Sequence, residues 1–208
     1  MAVSKVSRNA GTITLTDDVL TQFDEELWRV YPSAGAHPAL WNQMREFGPL
    51  PEMRYDPHIF GAPRLQPGIG VYYAATEAVT ALAESYSREK VIDRLTRSPV
   101  MTRWAPTRPL TLVDLTSTAV TQISVAAVQM TGTVARSRAF ARALYKQHGA
   151  DIDGIRSRSS VNNGINVILF SRAMSAFPPL PALDSPLASA YGTRLVSQSS
   201  TLLGWGVL

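Results

Sequence analysis

A scattered set of polar residues in this chain is poorly explained by its neighbours. Arg29 lies in the apolar, aromatic run Leu27-Trp28-Arg29-Val30-Tyr31, and Arg54 in Met53-Arg54-Tyr55-Asp56-Pro57-His58. Tyr73 and Glu84 lie in Val71-Tyr72-Tyr73-Ala74-Ala75 and the alanine-rich stretch that follows, with serines further on. A guanidinium fork suits the paired oxygens of a phosphate or carboxylate. A carboxylate among small residues leaves room for a ligand and can hold hydroxyls or steady a developing positive charge. An anionic, ribose-bearing ligand such as a dinucleotide would supply both sets with partners. The alternative for Arg29 is a half-buried structural ion pair, and for Arg54 a local pair with Asp56.

The elements that must position these residues are legible in part. Residues 1–11 read as a frayed tail, and the alternation from Gly11 to Thr16 suits a short strand or an extended arm. Asp17 and Asp18 suit the start of a short helix running toward Glu26. Leu27 to Tyr31 reads as a strand stopped by Pro32, and residues 32–68 as a long irregular segment, of the kind that carries function. Ile69 to Ala75 reads as a strand, and Thr76 can cap a helix from Glu77 to about Lys90, with Ala78, Ala81, Leu82 and Ser85 on one face. Glu77 and Glu84 border that stripe. Tyr72 and Tyr73 point to opposite sides of their strand, so only one can face a cleft beside Glu84.

Residues 96–109 read as a Pro/Arg loop, Leu110 to Leu115 as a strand, 119–130 as a helix, and Ala135 to His148 as a stronger helix. Asp153 to Arg156 and Ile165 to Ser171 read as paired strands joined through Asn162-Asn163-Gly164. Prolines 178, 179, 181 and 186 suggest that 177–208 lies over the surface. Strands and helices do not alternate strictly, which favours an α+β fold in one domain, 1–208, with its core at about 28–172.

Composition narrows the function. The 208 residues suffice for one real core, and 45% hydrophobic with 17% charged residues fits a folded globular protein. No apolar run approaches the roughly 20 residues that span a bilayer, and the first residues lack the apolar core of a signal peptide, so a cytoplasmic protein is expected. The absence of cysteine excludes disulfides and thiolate metal sites. Net charge is +4, with Arg94, Arg97, Arg103 and Arg108 forming only a loose group near Trp104. That group reads as a solvated basic loop, without the signatures of direct nucleic-acid binding. Gly68 and Gly70 precede a strand instead of following one, against a Rossmann site, and no phosphate-binding Gly-Lys-Ser/Thr loop occurs. His37, His58 and His148 are far apart in sequence and read as loop or surface residues, not as metal ligands.

Together these segments resemble the RES-domain family, toxins of bacterial toxin–antitoxin pairs named for an arginine, a glutamate and a serine. The resemblance runs from about Trp28 to about Arg172. The family's first arginine falls on Arg29, and its Gly-Arg-aromatic-Asn/Asp-Pro signature on Met53-Arg54-Tyr55-Asp56-Pro57, with methionine in place of glycine. Its Val-Tyr-x-Ala strand and the glutamate about eleven residues on fall on Tyr73 and Glu84. Its serine falls on Ser137 or on Ser159.

The resemblance implies an ADP-ribosyltransferase-like fold of the diphtheria-toxin type, with mixed sheets and flanking helices. It implies an enzyme that degrades NAD+ by hydrolysis or phosphorolysis, or transfers ADP-ribose to a protein. NAD+ would be the substrate, inorganic phosphate a co-substrate in the phosphorolytic case, and no cofactor would be needed. Glu84 would stabilise the ribosyl cation. Arg29 and Arg54 would hold pyrophosphate or phosphate, Tyr55 would line the substrate site beside Arg54, and Tyr73 would stack on nicotinamide. Ser137 is the catalytic and Ser159 the binding candidate. The implied partner is an Xre-type helix-turn-helix antitoxin covering the cleft, in a homodimer or a higher toxin–antitoxin complex. DNA contact would run through that partner. A non-catalytic antitoxin-binding module is the alternative from another class.

Overall fold

The computed structural model describes residues 12–119 and 133–208. Strands β1 (Leu20–Phe23), β2 (Leu27–Pro32), β5 (Val71–Ala75), β7 (Pro99–Trp104), β8 (Leu110–Asp114), β9 (Gly154–Arg158), β10 (Ile165–Phe170) and β11 (Leu183–Pro186) form one eight-stranded sheet, ordered β1-β8-β9-β10-β5-β2-β7-β11. Only the β8–β9 pairing is parallel among these neighbours. Two short ladders stand apart: β3 (Phe47–Gly48) with β4 (Arg64–Leu65), and β6 (Val91–Ile92) with β12 (Gly206–Val207). The helices are α1 (Ala78–Ser85), α2 (Val134–His148) and α3 (Ala190–Leu203). This is the α+β architecture expected, a large mixed sheet with flanking helices.

Alternation along the strands sorts the core into layers. Tyr72 and Ala74 face one side with Leu27, Trp104, Val167 and Leu169, where the turn at 171–176 closes the core with Ala173 and Ala176. Val71, Tyr73 and Ala75 face the other. There α2 packs Phe140, Ala141 and Leu144 on Ile155, Ile168 and Phe170 at one end. Helices α1 and α3 pack Ala81, Leu82 and Val196 on Ala75 and Met101 at the other. Between these two clusters, on the same face, lies the site described below.

Several local expectations give way to tertiary pairing. Asp17–Val19 is a single 3-10 turn, and the chain then runs as β1, because Leu20 to Phe23 pair with Val113 to Leu110. The Pro/Arg stretch 96–109 contains β7: its prolines sit at the strand's ends, while Val100, Met101 and Trp104 are buried. Helix α1 is capped at Glu77 and ends at Ser85, whose hydroxyl turns back to the Ala81 carbonyl. The chain after Phe177 is more than a surface segment, since β11 pairs with β7 and α3 packs on α1. The expected helix at 119–130 lies, apart from Ala119, outside the described residues.

Other expectations match. Ile13 is an extended arm pinned to α2, its N–H donating to Gln147 Oε1 at 2.8 Å. β9 and β10 pair antiparallel, and Asn163 turns the chain between them with φ 63°. At the start of β9, Gly154 lies so close to β10 that a Cβ would stand 2.1 Å from the Ile168 carbonyl oxygen. Gly154→Ala should therefore destabilise the protein by about 1–3 kcal/mol, as overpacked core positions do. An unchanged thermal melting midpoint would refute that close approach.

Candidate active site

Strand β2 meets β5 at one residue pair, Trp28 with Ala75. Beyond it the strands part, and the segment around Arg45 takes β2's place, with Arg45 and Val71 exchanging backbone bonds of 2.9 and 3.0 Å. A cavity of about 500 Å³ opens at this parting, on the face between α1 and α2. That volume suits a small organic ligand. Arg29, Arg54, Tyr55, Tyr73 and Glu84 all line it. Residues separated by more than fifty positions in sequence are thereby brought together.

The loop carrying Arg54 and Tyr55 is built around Asp56, which is fully buried. Its carboxylate accepts from Arg45 Nη2 at 3.0 Å and Leu50 N at 2.9 Å, and bonds His58 Nδ1. Burial alone would raise the Asp56 pKa, but the bonds from His58, Leu50 and Arg45 outweigh it and hold the group at about 2. His58, expected on a loop or the surface, is buried beside it. Gln66 closes the same loop, donating to the Gly48 carbonyl and accepting from Ile59 N. Asp56 is therefore taken by Arg45, so the local Arg54–Asp56 pair does not form. Arg54 makes no hydrogen bond or ion pair to any described residue, and its charge acts on the Tyr55 phenol.

Arg29 is more constrained. Register places it on the Tyr72 side of the sheet, its guanidinium 4.2 Å from the Tyr72 ring centroid and Nη1 donating to the Gln43 carbonyl at 2.9 Å. It borders the cavity through the gap between β2 and β5, on the opposite sheet face from Glu84. Tyr73, not Tyr72, faces the cavity. Burial, reinforced by the Asp56 charge, pushes the Tyr73 phenol far up, and burial raises Tyr55 against the opposing Arg54 charge. Glu84 sits exposed in the last turn of α1, its Oε1 accepting from Asn166 Nδ2 at 2.6 Å.

Neither expected serine lines the cavity. Ser137 is buried in α2, and the Ser159 hydroxyl accepts from Val161 N and Asn162 N, shaping the turn after β9. Four serines line it, Ser85, Ser87, Ser157 and Ser160, and of these Ser157 is the buried one. Its hydroxyl faces the Tyr55 phenol and favours that phenol's ionised form, without a hydrogen bond of standard geometry to a described residue; the Tyr73 hydroxyl likewise makes none. The signal for Ser157 was alternation: in Gly154-Ile155-Arg156-Ser157-Arg158 it shares a face with Ile155, which the helix α2 covers. Asn166, opposite Ser157 on β10, and Arg158 at the rim were also missed. Among the described residues no group of three or more His, Asp or Glu could hold a metal ion, and no helix is long and apolar enough to cross a membrane.

A sequence profile of the RES domain matches residues 26–188. The chain belongs to the RES domain family. Its fold is similar to a chain in the crystal structure of the M. tuberculosis MbcT–MbcA toxin–antitoxin complex, with a TM-score of 0.56 at 15% identity, over 86% of this chain and 92% of that one. No curated protein matches it. The RES-domain match spans every cavity-lining residue named above.

Two predictions follow from the loop. Asp56 titrates lower folded than unfolded, where an aspartate has a pKa near 3.9, so its stabilisation is present above about pH 4 and is lost as pH falls toward 2. The shift corresponds to about 2 kcal/mol. Urea unfolding between pH 2 and pH 6 should show a weaker acid dependence in Asp56→Asn than in the wild type; parallel curves would remove Asp56 from that role. Arg54→Ala should keep the wild-type melting temperature, since the guanidinium supports no described residue, and a large loss of stability would make it structural.

Proposed function

We propose that this RES-domain chain is the toxin of a toxin–antitoxin pair and that it cleaves the nicotinamide–ribose bond of NAD+, depleting the cell of the dinucleotide. The observation that carries the reading is the convergence of Arg54, Tyr55, Tyr73, Ser157 and Glu84 on one cavity of about 500 Å³. Family membership and the fold shared with a chain of a toxin–antitoxin complex support it.

The chemistry asked of the site is modest. As the C–N bond breaks, its electron pair neutralises the pyridinium nitrogen, so nicotinamide leaves without a proton and no general acid is required. Positive charge builds on the ribose carbon and ring oxygen. Glu84, with one carboxylate oxygen held by Asn166 and the other uncommitted in hydrogen bonding to described residues, stabilises that charge or orients the ribose hydroxyls. Arg54 takes the pyrophosphate, or the attacking phosphate in a phosphorolytic reaction, with Arg29 contributing from across the gap. Tyr73 walls the nicotinamide pocket, and the Ser157 hydroxyl takes the serine's role of binding a polar substrate group. Water as nucleophile yields ADP-ribose and releases a proton; inorganic phosphate yields ADP-ribose-1″-phosphate.

The exposure of Glu84 favours a second reading, ADP-ribosyl transfer to a protein side chain, because a bulky nucleophile can reach the rim. An Xre-type helix-turn-helix antitoxin in the cytoplasm would hold the enzyme inactive by covering the cavity. Exposed Phe47, Ile59 and Leu65, on the segment that carries Arg54, favour a protein partner there.

Purified protein incubated with NAD+, with and without phosphate, should consume it and give one of the two products by mass-resolved chromatography. Glu84→Gln should lower turnover by about 100-fold or more with an unchanged melting temperature. Intact NAD+ after incubation with antitoxin-free wild type would overturn the reading, and a fully active Glu84→Gln would remove Glu84 from its role.

A further inference from the structure

Helix α1 presents its carboxylate in an electrostatically poor place. Glu84 is the penultimate residue of Ala78–Ser85, in a last turn that contains no basic residue. The partial negative charge of a helix C-terminus disfavours a carboxylate there. The donor that meets it is the Asn166 amide, at 2.6 Å.

Asn166 is itself out of place by local preference, a single polar side chain in the apolar run Ile165-Asn166-Val167-Ile168-Leu169-Phe170. Its backbone is fixed from both sides, opposite Ser157 on β9 and Ala75 on β5. These three residues form one row across adjacent strands, and all three line the cavity. The next row on the same face is apolar, with Ile168 beside Tyr73. The row Ser157–Asn166–Ala75 is thus a polar ledge above an apolar floor, with Ala75 small enough to leave space under Glu84.

We propose that Asn166 is the positioning residue for Glu84: its amide N–H holds Oε1 so that Oε2 meets the ribose, and it acts on turnover through that carboxylate. The inference rests on the NAD+-cleaving reading. A glutamate side chain has three rotatable bonds, and on an exposed helix end few packing contacts select among its rotamers. A bond from a strand anchored in two ladders does select. Displacement of a catalytic group by about 1 Å can cost about 100-fold in rate.

The test is steady-state NAD+ turnover, NAD+ affinity by calorimetry in a short incubation, and thermal melting for the wild type, Asn166→Ala and Asn166→Asp. The second variant keeps size and shape but offers an oxygen where the donor stood. Both should lose kcat by about 10- to 100-fold, with KM and NAD+ affinity within about threefold and melting unchanged. Asn166→Asp should be at least as impaired as Asn166→Ala. Wild-type kcat in Asn166→Ala, or losses of affinity and melting temperature that parallel the loss of kcat, would overturn the positioning role while leaving NAD+ cleavage standing. A wild type inert toward NAD+ would overturn both.

Discussion

The site depends on an unfinished strand pairing. Had β2 and β5 continued beyond Trp28–Ala75, the sheet would be closed and the face between α1 and α2 would hold only core. The parting exposes backbone that must find partners elsewhere. The segment at Arg45 supplies them to Val71, and Arg29 spans the opening to the Gln43 carbonyl. That arrangement holds only if the loop that follows is rigid. Asp56 provides this: a carboxylate without solvent contact is costly unless fully bonded, and Arg45, His58 and Leu50 together bond it. One buried acid thus fixes both the strand substitute at Arg45 and the loop that brings Arg54 and Tyr55 to the cavity.

The same accounting sorts the arginines. Arg108 and Arg172 share the buried Asp153, Arg156 pairs with Asp114, and Arg103 pairs with Glu26 while stacking on Trp28. The solvated basic loop expected around Arg103 and Arg108 is instead tied into the fold through these acids. The side chains of Arg54 and Arg158, both at the cavity, make no hydrogen bond or ion pair to a described residue. The chain's net charge of +4 therefore says less than its distribution, since uncommitted cations stand where an anionic ligand would enter.

How much of this was legible in the sequence depended on the range of the interaction. Strands β2, β5, β8 and β10 and helix α2 carry strong local patterns and were readable, as were Arg29, Arg54, Tyr55, Tyr73 and Glu84 as cavity residues. Strand β7 was hidden because its proline and arginine content mimics a loop, whereas its burial comes from pairing with β2 and β11. Asp56 looked like the partner of Arg54 because the two are close in sequence, but a buried carboxylate selects donors by geometry. Ser157 and Ser159 share one strand parity, so alternation alone does not separate them: Ser159 lies just past the end of β9, where its hydroxyl shapes the turn, and a strand's end is set by its pairing with neighbours.

The residues that break local rules collect at one place. Glu84 lies at the wrong end of a helix, Asn166 in the middle of an apolar strand, and Tyr73 and Ser157 carry buried hydroxyls without standard hydrogen bonds to described residues. Each would be unfavourable alone, and folded chains ordinarily avoid such choices outside functional sites. Packing accounts for only part of this: the Tyr73 ring packs against the cluster of Phe140, Leu144 and Ile155, but that contact makes no use of its hydroxyl. A bound polar ligand would account for them together: Glu84 and Asn166 answer each other at the cavity and leave Glu84 Oε2 open, and the Arg54 side chain and the Tyr73 hydroxyl make no standard hydrogen bond to a described residue.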